Sequence, residues 1–137
     1  MVGPHFRSLG DAISDFRSAR SKAAMQAIFS TLRGEKNQLL SYDEVRKKLK
    51  AQGSAERGLH DIPLDAIVGS VGRYTDFNRN FLPLGSVSPE RWARVKLAAS
   101  DLAGLPPIEV YQIGSVYFVK DGNHRVSVAR QLGADHI

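Results

Sequence analysis

Residues 119–130 read VKDGNHRVSVAR and contain the most informative pattern in the chain. The apolar residues before Asp121-Gly122 predict a strand that ends in a tight turn. The spacing that follows predicts a helix from Asn123 to Leu132, and Gly133 is typical of a helix end. A strand that leads through a glycine turn directly into a helix is therefore the first structural prediction.

The same turn is a candidate binding site. The N–H groups at a helix start lack partners within the helix and carry about half a positive charge, so they attract anions. Gly122 lets the backbone approach a ligand, and His124 and Arg125 add donors suited to phosphate or carboxylate. Asp121 and His124 are the candidate catalytic residues, and Asp121 could also hold Mg²⁺. In the alternative, the turn is structural: Asn123 caps the helix and Arg125 pairs with a nearby acid.

Regular elements extend outward from this stretch. Alternating apolar residues from Ile108 to Val119, around a Gly-Ser turn, predict a β-hairpin. Ser88-Pro89-Glu90 predicts the start of a helix with Trp92 on its buried face. Residues 59–71 suggest a short strand followed by a helical turn. Residues 58–137 are therefore expected to form a small α/β (α+β) domain.

Residues 1–57 form a second, basic segment. The chain has a net charge of +5, and all of the excess lies in residues 1–50, which hold ten Lys or Arg and five Asp or Glu. Apolar spacing predicts helices over residues 11–32 and 41–49, which suggests an N-terminal helical hairpin. These helices could contact a DNA backbone through their basic residues. Packing on the domain or on a second copy is the favoured alternative, with a homodimer through residues 11–52.

A long, polar loop over residues 69–85 could take part in binding, because Arg73 and Arg79 could close over a ligand and the aromatic residues could stack on a base. In the alternative, three aromatic residues pin this loop to the core: Tyr74, Phe77 and Phe81.

Composition excludes several classes of protein. The absence of cysteine rules out disulfides, thiolate nucleophiles, iron–sulfur clusters and cysteine-ligated zinc. The sequence has neither an apolar run long enough to span a bilayer nor the apolar segment of a secretory signal. We therefore expect a soluble, cytoplasmic protein without a membrane partner.

The motifs of residues 107–133 resemble the ParB/sulfiredoxin superfamily. In that family, a helix and a hairpin lead into a Gly-x-[His/Arg]-Arg turn, here Gly122-Asn-His-Arg125, and the next helix ends in Leu-Gly, here Leu132-Gly133. The run from Asp61 to Ile67 is similar to the opening strand and turn of ParB-like domains. The resemblance covers residues 59–137.

The resemblance implies a small mixed-sheet domain that binds nucleotide phosphates at the Gly-x-His-Arg turn, where Gly122, His124 and Arg125 match the family motif. Asn123, in the same turn, is a further candidate phosphate-binding residue. Members of the superfamily include chromosome-partitioning proteins that bind CTP and DNA, sulfiredoxins that use ATP, kinases of free serine, and domains described as nucleases. A nucleoside triphosphate such as CTP or ATP, with Mg²⁺, is the implied ligand.

Two positions depart from the family pattern. Asn123 stands where sulfiredoxins have their catalytic cysteine and partitioning proteins have an acidic residue, which argues against the sulfiredoxin reaction and CTP hydrolysis. Ser127 replaces a further arginine of the partitioning proteins. In those proteins a DNA-reading helix-turn-helix domain would be expected beyond Ile137.

Three functions are thus predicted. The first is a DNA-associated domain that binds nucleotide or nucleic-acid phosphate at the Gly122–Arg125 turn. The second is a phosphodiesterase, nuclease or nucleotide-dependent phosphotransferase that uses the same turn. The third is a non-catalytic dimerisation module.

Overall fold

A computed structural model describes residues 8–49, 55–72, 74–99 and 104–137. Its regular elements, in chain order, are α1 (Leu9–Arg33), β1 (Leu40–Ser41), α2 (Tyr42–Leu49), a 3₁₀ turn (Leu64–Ala66), β2 (Ile67–Ser70), α3 (Pro89–Ala99), β3 (Glu109–Ile113), β4 (Val116–Asp121) and α4 (Asn123–Gln131). None of these described helices is long and apolar enough to cross a bilayer.

The strands form one four-stranded sheet in the order β1-β2-β4-β3. β2 runs parallel to both β1 and β4, whereas β3 is antiparallel to β4. This mixed sheet confirms the predicted α+β class. Because β2 and β4 are parallel, the chain leaves both strands at the same edge of the sheet, where α/β proteins commonly bind ligands.

Trp92 on α3 joins the helices that cover one face of the sheet. The side chain is fully buried, meets the ring of Phe16 on α1 edge-on at 5.7 Å, and donates from Nε1 to Ser127 Oγ on α4 at 2.9 Å. Ala19 and Ala23 of α1 belong to the same core. The first half of α1 therefore shares its core with α3 and α4, while the boundary between residues 57 and 58 stays a prediction.

Tyr42, at the start of α2, covers the other face of the sheet. Its ring stacks on Tyr111 of β3 at 4.8 Å and meets Phe118 of β4 edge-on at 5.5 Å. Both N-terminal helices thus form as predicted. The apolar side chains of α1 pack on α3, whereas those of α2 pack on the sheet. The two helices therefore do not pack on each other as the predicted hairpin.

The order of elements predicted for residues 59–71 is wrong: the helical turn precedes the strand. Ile62 instead pairs with Ile137 through two backbone hydrogen bonds of 2.9 Å. All four residues of β2 are buried because the strand lies between two parallel neighbours. A strand buried in this way has no alternating pattern that the sequence could reveal.

The hairpin, the start of α3 and the core contacts of the long loop agree with the predictions. β3 and β4 form the predicted hairpin, and Ser88 Oγ accepts a hydrogen bond from the Arg91 N–H at 3.3 Å at the start of α3. The long loop is pinned to the core through Phe77 and Phe81, as the structural alternative predicted, although Tyr74 is partly exposed.

Candidate functional site

Ser70, the last residue of β2, connects the two parallel strand ends. Its Oγ lies 3.1 Å from Asn123 Oδ1 and 3.1 Å from the Val119 carbonyl oxygen. The amide of Asn123 also donates from Nδ2 to the Gly72 carbonyl at 3.4 Å. The Asn123 side chain therefore joins α4 to the loop after β2. It does not cap the helix, so this part of the structural alternative is wrong.

The N-terminus of α4 begins at Gly122. Its φ of 117° is left-handed, and an added Cβ would lie 2.5 Å from Ile108 Cγ2, so only glycine fits. Val126 donates the first helical hydrogen bond, to the Gly122 carbonyl at 3.0 Å, so the N–H groups of residues 123–125 have no acceptor within the helix. In the described part of the chain no side chain caps this helix end, and its first turn contains no acid. The arrangement is one that favours an anion.

His124 faces the interior of the protein. It is 9% exposed, and its ring meets Phe77 edge-on with 5.3 Å between the ring centres. Asp76, next to Phe77 in the chain, is also buried and accepts a hydrogen bond from Ser86 Oγ at 2.7 Å. His124 therefore joins α4 to the long loop.

Arg125 holds the opposite side of the turn. Its Nη1 donates to the carbonyl oxygens of Pro106 and Pro107 at 3.0 and 2.7 Å, and its Nη2 lies 2.9 Å from Asp121 Oδ2. The pairing with an acid agrees with the structural alternative. His124 and Arg125 thus contact different segments, and the structure does not bring them together at one point.

We expect Arg125→Lys to lower the free energy of unfolding by about 2 kcal/mol, because a lysine ammonium cannot reach two carbonyls and a carboxylate in one planar arrangement. Urea denaturation followed by circular dichroism measures this change. The matched control is Arg46→Lys on the exposed surface of α2, which should be neutral. Equal stability of both variants would show that the Arg125 contacts contribute nothing.

Of the two loop arginines predicted to close over a ligand, the structure describes only Arg79. Arg73 lies outside the described residues, so its role stays a prediction. Arg79 lies in a turn, and its backbone N–H donates to the Asn37 carbonyl oxygen at 3.2 Å. In the described ranges, no hydrogen bond or ion pair joins Arg79 to residues 121–125, and nothing in the structure places it over the turn.

An open cleft of about 650 Å³ lies between α3 and the segment before β3. Arg91 and Arg94 line it from α3, and Arg125 lines it from the first turn of α4. Its apolar lining residues are Val95, Ala98, Leu105 and Pro106, and Glu90 supplies an acidic side chain. Because Arg125 is paired with Asp121, the net positive charge of this cleft comes from Arg91 and Arg94 against Glu90.

Sequence reasoning missed Arg91 and Arg94. The available signal was two arginines three residues apart, which lie on one face of a helix. A surface-exposed, solvated helix face gives the same signal, so the sequence alone could not distinguish the two.

The described residues offer no group of three or more His, Cys, Asp or Glu side chains placed to hold a metal ion. The carboxylate of Asp121 pairs with Arg125. The predicted Mg²⁺ role of Asp121 therefore stays a prediction.

No protein-family model matches the chain, and no curated protein or solved structure matches it significantly. The resemblance to the ParB/sulfiredoxin superfamily therefore rests on the motifs of residues 59–137.

Proposed function

We propose that the chain is a ParB-like domain that binds the phosphate groups of a nucleotide or nucleic acid beside the N-terminus of α4. One observation carries the proposal: the uncapped first turn of α4 contributes Arg125 to the same cleft that Arg91 and Arg94 line. Guanidinium groups and the amide hydrogens of an uncapped helix start are both donors that suit phosphate.

In this proposal the three arginines of the cleft have different roles. Arg125 fixes the turn, because its guanidinium is held by Pro106, Pro107 and Asp121. Arg91 and Arg94 are exposed and supply charge to the ligand. The apolar part of the cleft suits the base or ribose of a nucleoside phosphate.

A nucleoside triphosphate such as CTP or ATP is the proposed ligand class. Mg²⁺ would arrive on the phosphates, since Asp121 is paired with Arg125. Association with DNA is a less specific proposal, because its support is the excess positive charge of residues 1–50.

We expect the double variant Arg91→Ala/Arg94→Ala to bind CTP, ATP or GTP at least about tenfold more weakly than the unaltered chain, because each charge-assisted hydrogen bond contributes about 1.5–3 kcal/mol. Isothermal titration calorimetry, with and without Mg²⁺, measures the affinity. The matched control removes two exposed basic residues from α2, Arg46→Ala/Lys47→Ala, and should bind as the unaltered chain does.

Two results would reject the proposal. One is the absence of binding heat with every nucleotide, with and without Mg²⁺. The other is an equal loss of affinity in the α2 control, which would show that any reduction in positive charge has the same effect.

Hydrolysis or phosphoryl transfer at the turn has weaker support. Both candidate catalytic residues contact the protein itself: Asp121 pairs with Arg125, and His124 packs against Phe77. If turnover is measured, His124→Ala should abolish it. Full activity of that variant would indicate a contaminating enzyme.

A further inference from the structure

The guanidinium of Arg125 makes two kinds of contact. Its Nη1 donates to the Pro106 and Pro107 carbonyl oxygens at 3.0 and 2.7 Å, and its Nη2 donates to Asp121 Oδ2 at 2.9 Å. The side chain of Arg125 is only 16% exposed, whereas that of Asp121 is 70% exposed. The two carbonyl contacts are therefore part of the fold, while the carboxylate partner lies largely in solvent.

The Asp121 side chain is held by this pair alone. Within the described residues, the contact with Arg125 is the only hydrogen bond that the Asp121 carboxylate makes. An ion pair with an exposed partner is screened by water and contributes little to stability. Rotation of the Asp121 side chain would therefore free Nη2, and the two carbonyl oxygens would still hold the guanidinium in place.

We propose that Asp121 is an internal competitor of the phosphate ligand. Its carboxylate occupies Nη2 of Arg125 in the free chain and leaves when a phosphate oxygen takes its place. This inference rests on the proposed phosphate site and adds a regulatory contact to it. Asp121 thereby lowers the affinity of the site for every phosphate ligand that contacts Arg125.

The geometry of the guanidinium explains why the two anions compete. An arginine binds phosphate most strongly through two parallel hydrogen bonds from neighbouring nitrogens. The two carbonyl oxygens use both N–H groups of Nη1, so such a ligand has to use Nη2 and Nε of Arg125. A carboxylate on the same Nη2 lies close enough to the phosphate to repel it. One anion therefore replaces the other.

The charges of the cleft give this exchange a direction. Arg91 and Arg94 line the cleft beside Arg125, and the first turn of α4 contains no acid. A phosphate in the cleft is attracted by all of these groups, whereas the Asp121 carboxylate pairs with Arg125. A terminal phosphate also carries about 1.5–2 negative charges at neutral pH, against one for a carboxylate. The phosphate is therefore the stronger partner of Arg125.

A similar arginine pair lies away from the cleft. Arg130 Nη2 lies 3.2 Å from the Leu64 carbonyl oxygen and 3.3 Å from Asp65 Oδ1. The Asp65 side chain is 97% exposed, and neither partner lines the cleft. Asp65→Asn removes the same charge from the same kind of pair and is therefore the matched control for Asp121→Asn.

Isothermal titration calorimetry with CTP, ATP and GTP tests the competition, without Mg²⁺ so that the Asp121 carboxylate has no metal ion to contact. We expect Asp121→Asn to bind nucleotide at least about threefold more tightly than the unaltered chain, because a neutral amide competes more weakly for Nη2. Asp65→Asn should bind as the unaltered chain does. Glu90 lines the same cleft but accepts its hydrogen bond from Ser88, so Glu90→Gln should have a smaller effect than Asp121→Asn.

Two further measurements do not depend on affinity. The side-chain carboxyl ¹³C resonance of Asp121 should shift when nucleotide is added, and that of Asp65 should not. The urea midpoint of Asp121→Asn should lie close to that of the unaltered chain, because the two carbonyl oxygens still hold Arg125. An Asp121 resonance that stays unshifted at saturating nucleotide would contradict the exchange.

The titrations separate this inference from the proposed function. Nucleotide binding that Asp121→Asn leaves unchanged or weakens would disprove the competition and leave the phosphate site standing. An equal gain of affinity in Glu90→Gln would also disprove it, because any loss of negative charge would then have the same effect. The absence of binding heat in the unaltered chain and in Asp121→Asn alike would reject the proposed function together with the inference.

Discussion

Gly69→Ala is expected to lower the free energy of unfolding by more than about 3 kcal/mol, which exceeds the usual cost of overpacking. The reason is that β2, which contains Gly69, lies between two paired strands and cannot shift to make room. A Cβ at this position would lie 2.2 Å from the Leu40 carbonyl oxygen and 2.7 Å from the ring of Phe118. The carbonyl belongs to the neighbouring strand β1, and Phe118 is held in place by Tyr42. Urea denaturation followed by circular dichroism measures the loss.

The control for this prediction is the same substitution at Gly10 in α1. The nearest atom to a Cβ there is Ser8 Oγ at 3.6 Å, and an alanine in a helix is more favourable than a glycine by about 0.5–1 kcal/mol. Gly10→Ala should therefore stabilise the chain slightly. If Gly69→Ala were as stable as the unaltered protein, β1 and Phe118 could not pack on β2 as the structure describes.

Gly69 also shows why the sequence predicted the sheet incompletely. The hairpin β3–β4 was predictable because its apolar residues alternate around a Gly-Ser turn. Gly69 was instead assigned to the long loop, because a four-residue strand that is buried on every side has neither alternation nor length. Only its position between β1 and β4 makes it a strand, and that depends on contacts distant in sequence.

The candidate site was predictable to a similar extent. The strand, the turn and the start of α4 follow from local residues. The hydrogen-bond partners of the side chains do not follow from local residues. Asn123 contacts Ser70, and Arg125 contacts Pro106 and Pro107, which precede β3. Whether an arginine binds a ligand or the backbone depends on which segment the fold places beside it.

Gly122→Ala is the second substitution with a large expected effect. The backbone φ of 117° is one that alanine rarely adopts, and the added Cβ would lie 2.5 Å from Ile108 Cγ2 and 3.3 Å from Arg125 Cζ. We expect a loss of about 2–3 kcal/mol in the free energy of unfolding. Nucleotide binding should also be lost, because the turn cannot move without displacing the first N–H groups of α4 and Arg125.

Two further variants separate the causes of this loss. Gly114 also has a positive φ, of 60°, but no atom lies within 4 Å of its Cβ position, so Gly114→Ala carries only the conformational cost of about 1 kcal/mol. Ile108→Ala should be less harmful in the Gly122→Ala background than in the unaltered chain, because it removes the obstacle.

The double variant Gly122→Ala/Ile108→Ala also distinguishes the turn's structural role from its proposed binding role. If it regains both stability and nucleotide binding, the loss of binding in Gly122→Ala follows from the displaced turn, which supports phosphate binding at the N-terminus of α4. If Gly122→Ala alone folds and binds nucleotide as tightly as the unaltered chain, the position of these N–H groups is unimportant. Binding would then depend on Arg91 and Arg94 alone, and the proposed phosphate site at the turn would be wrong.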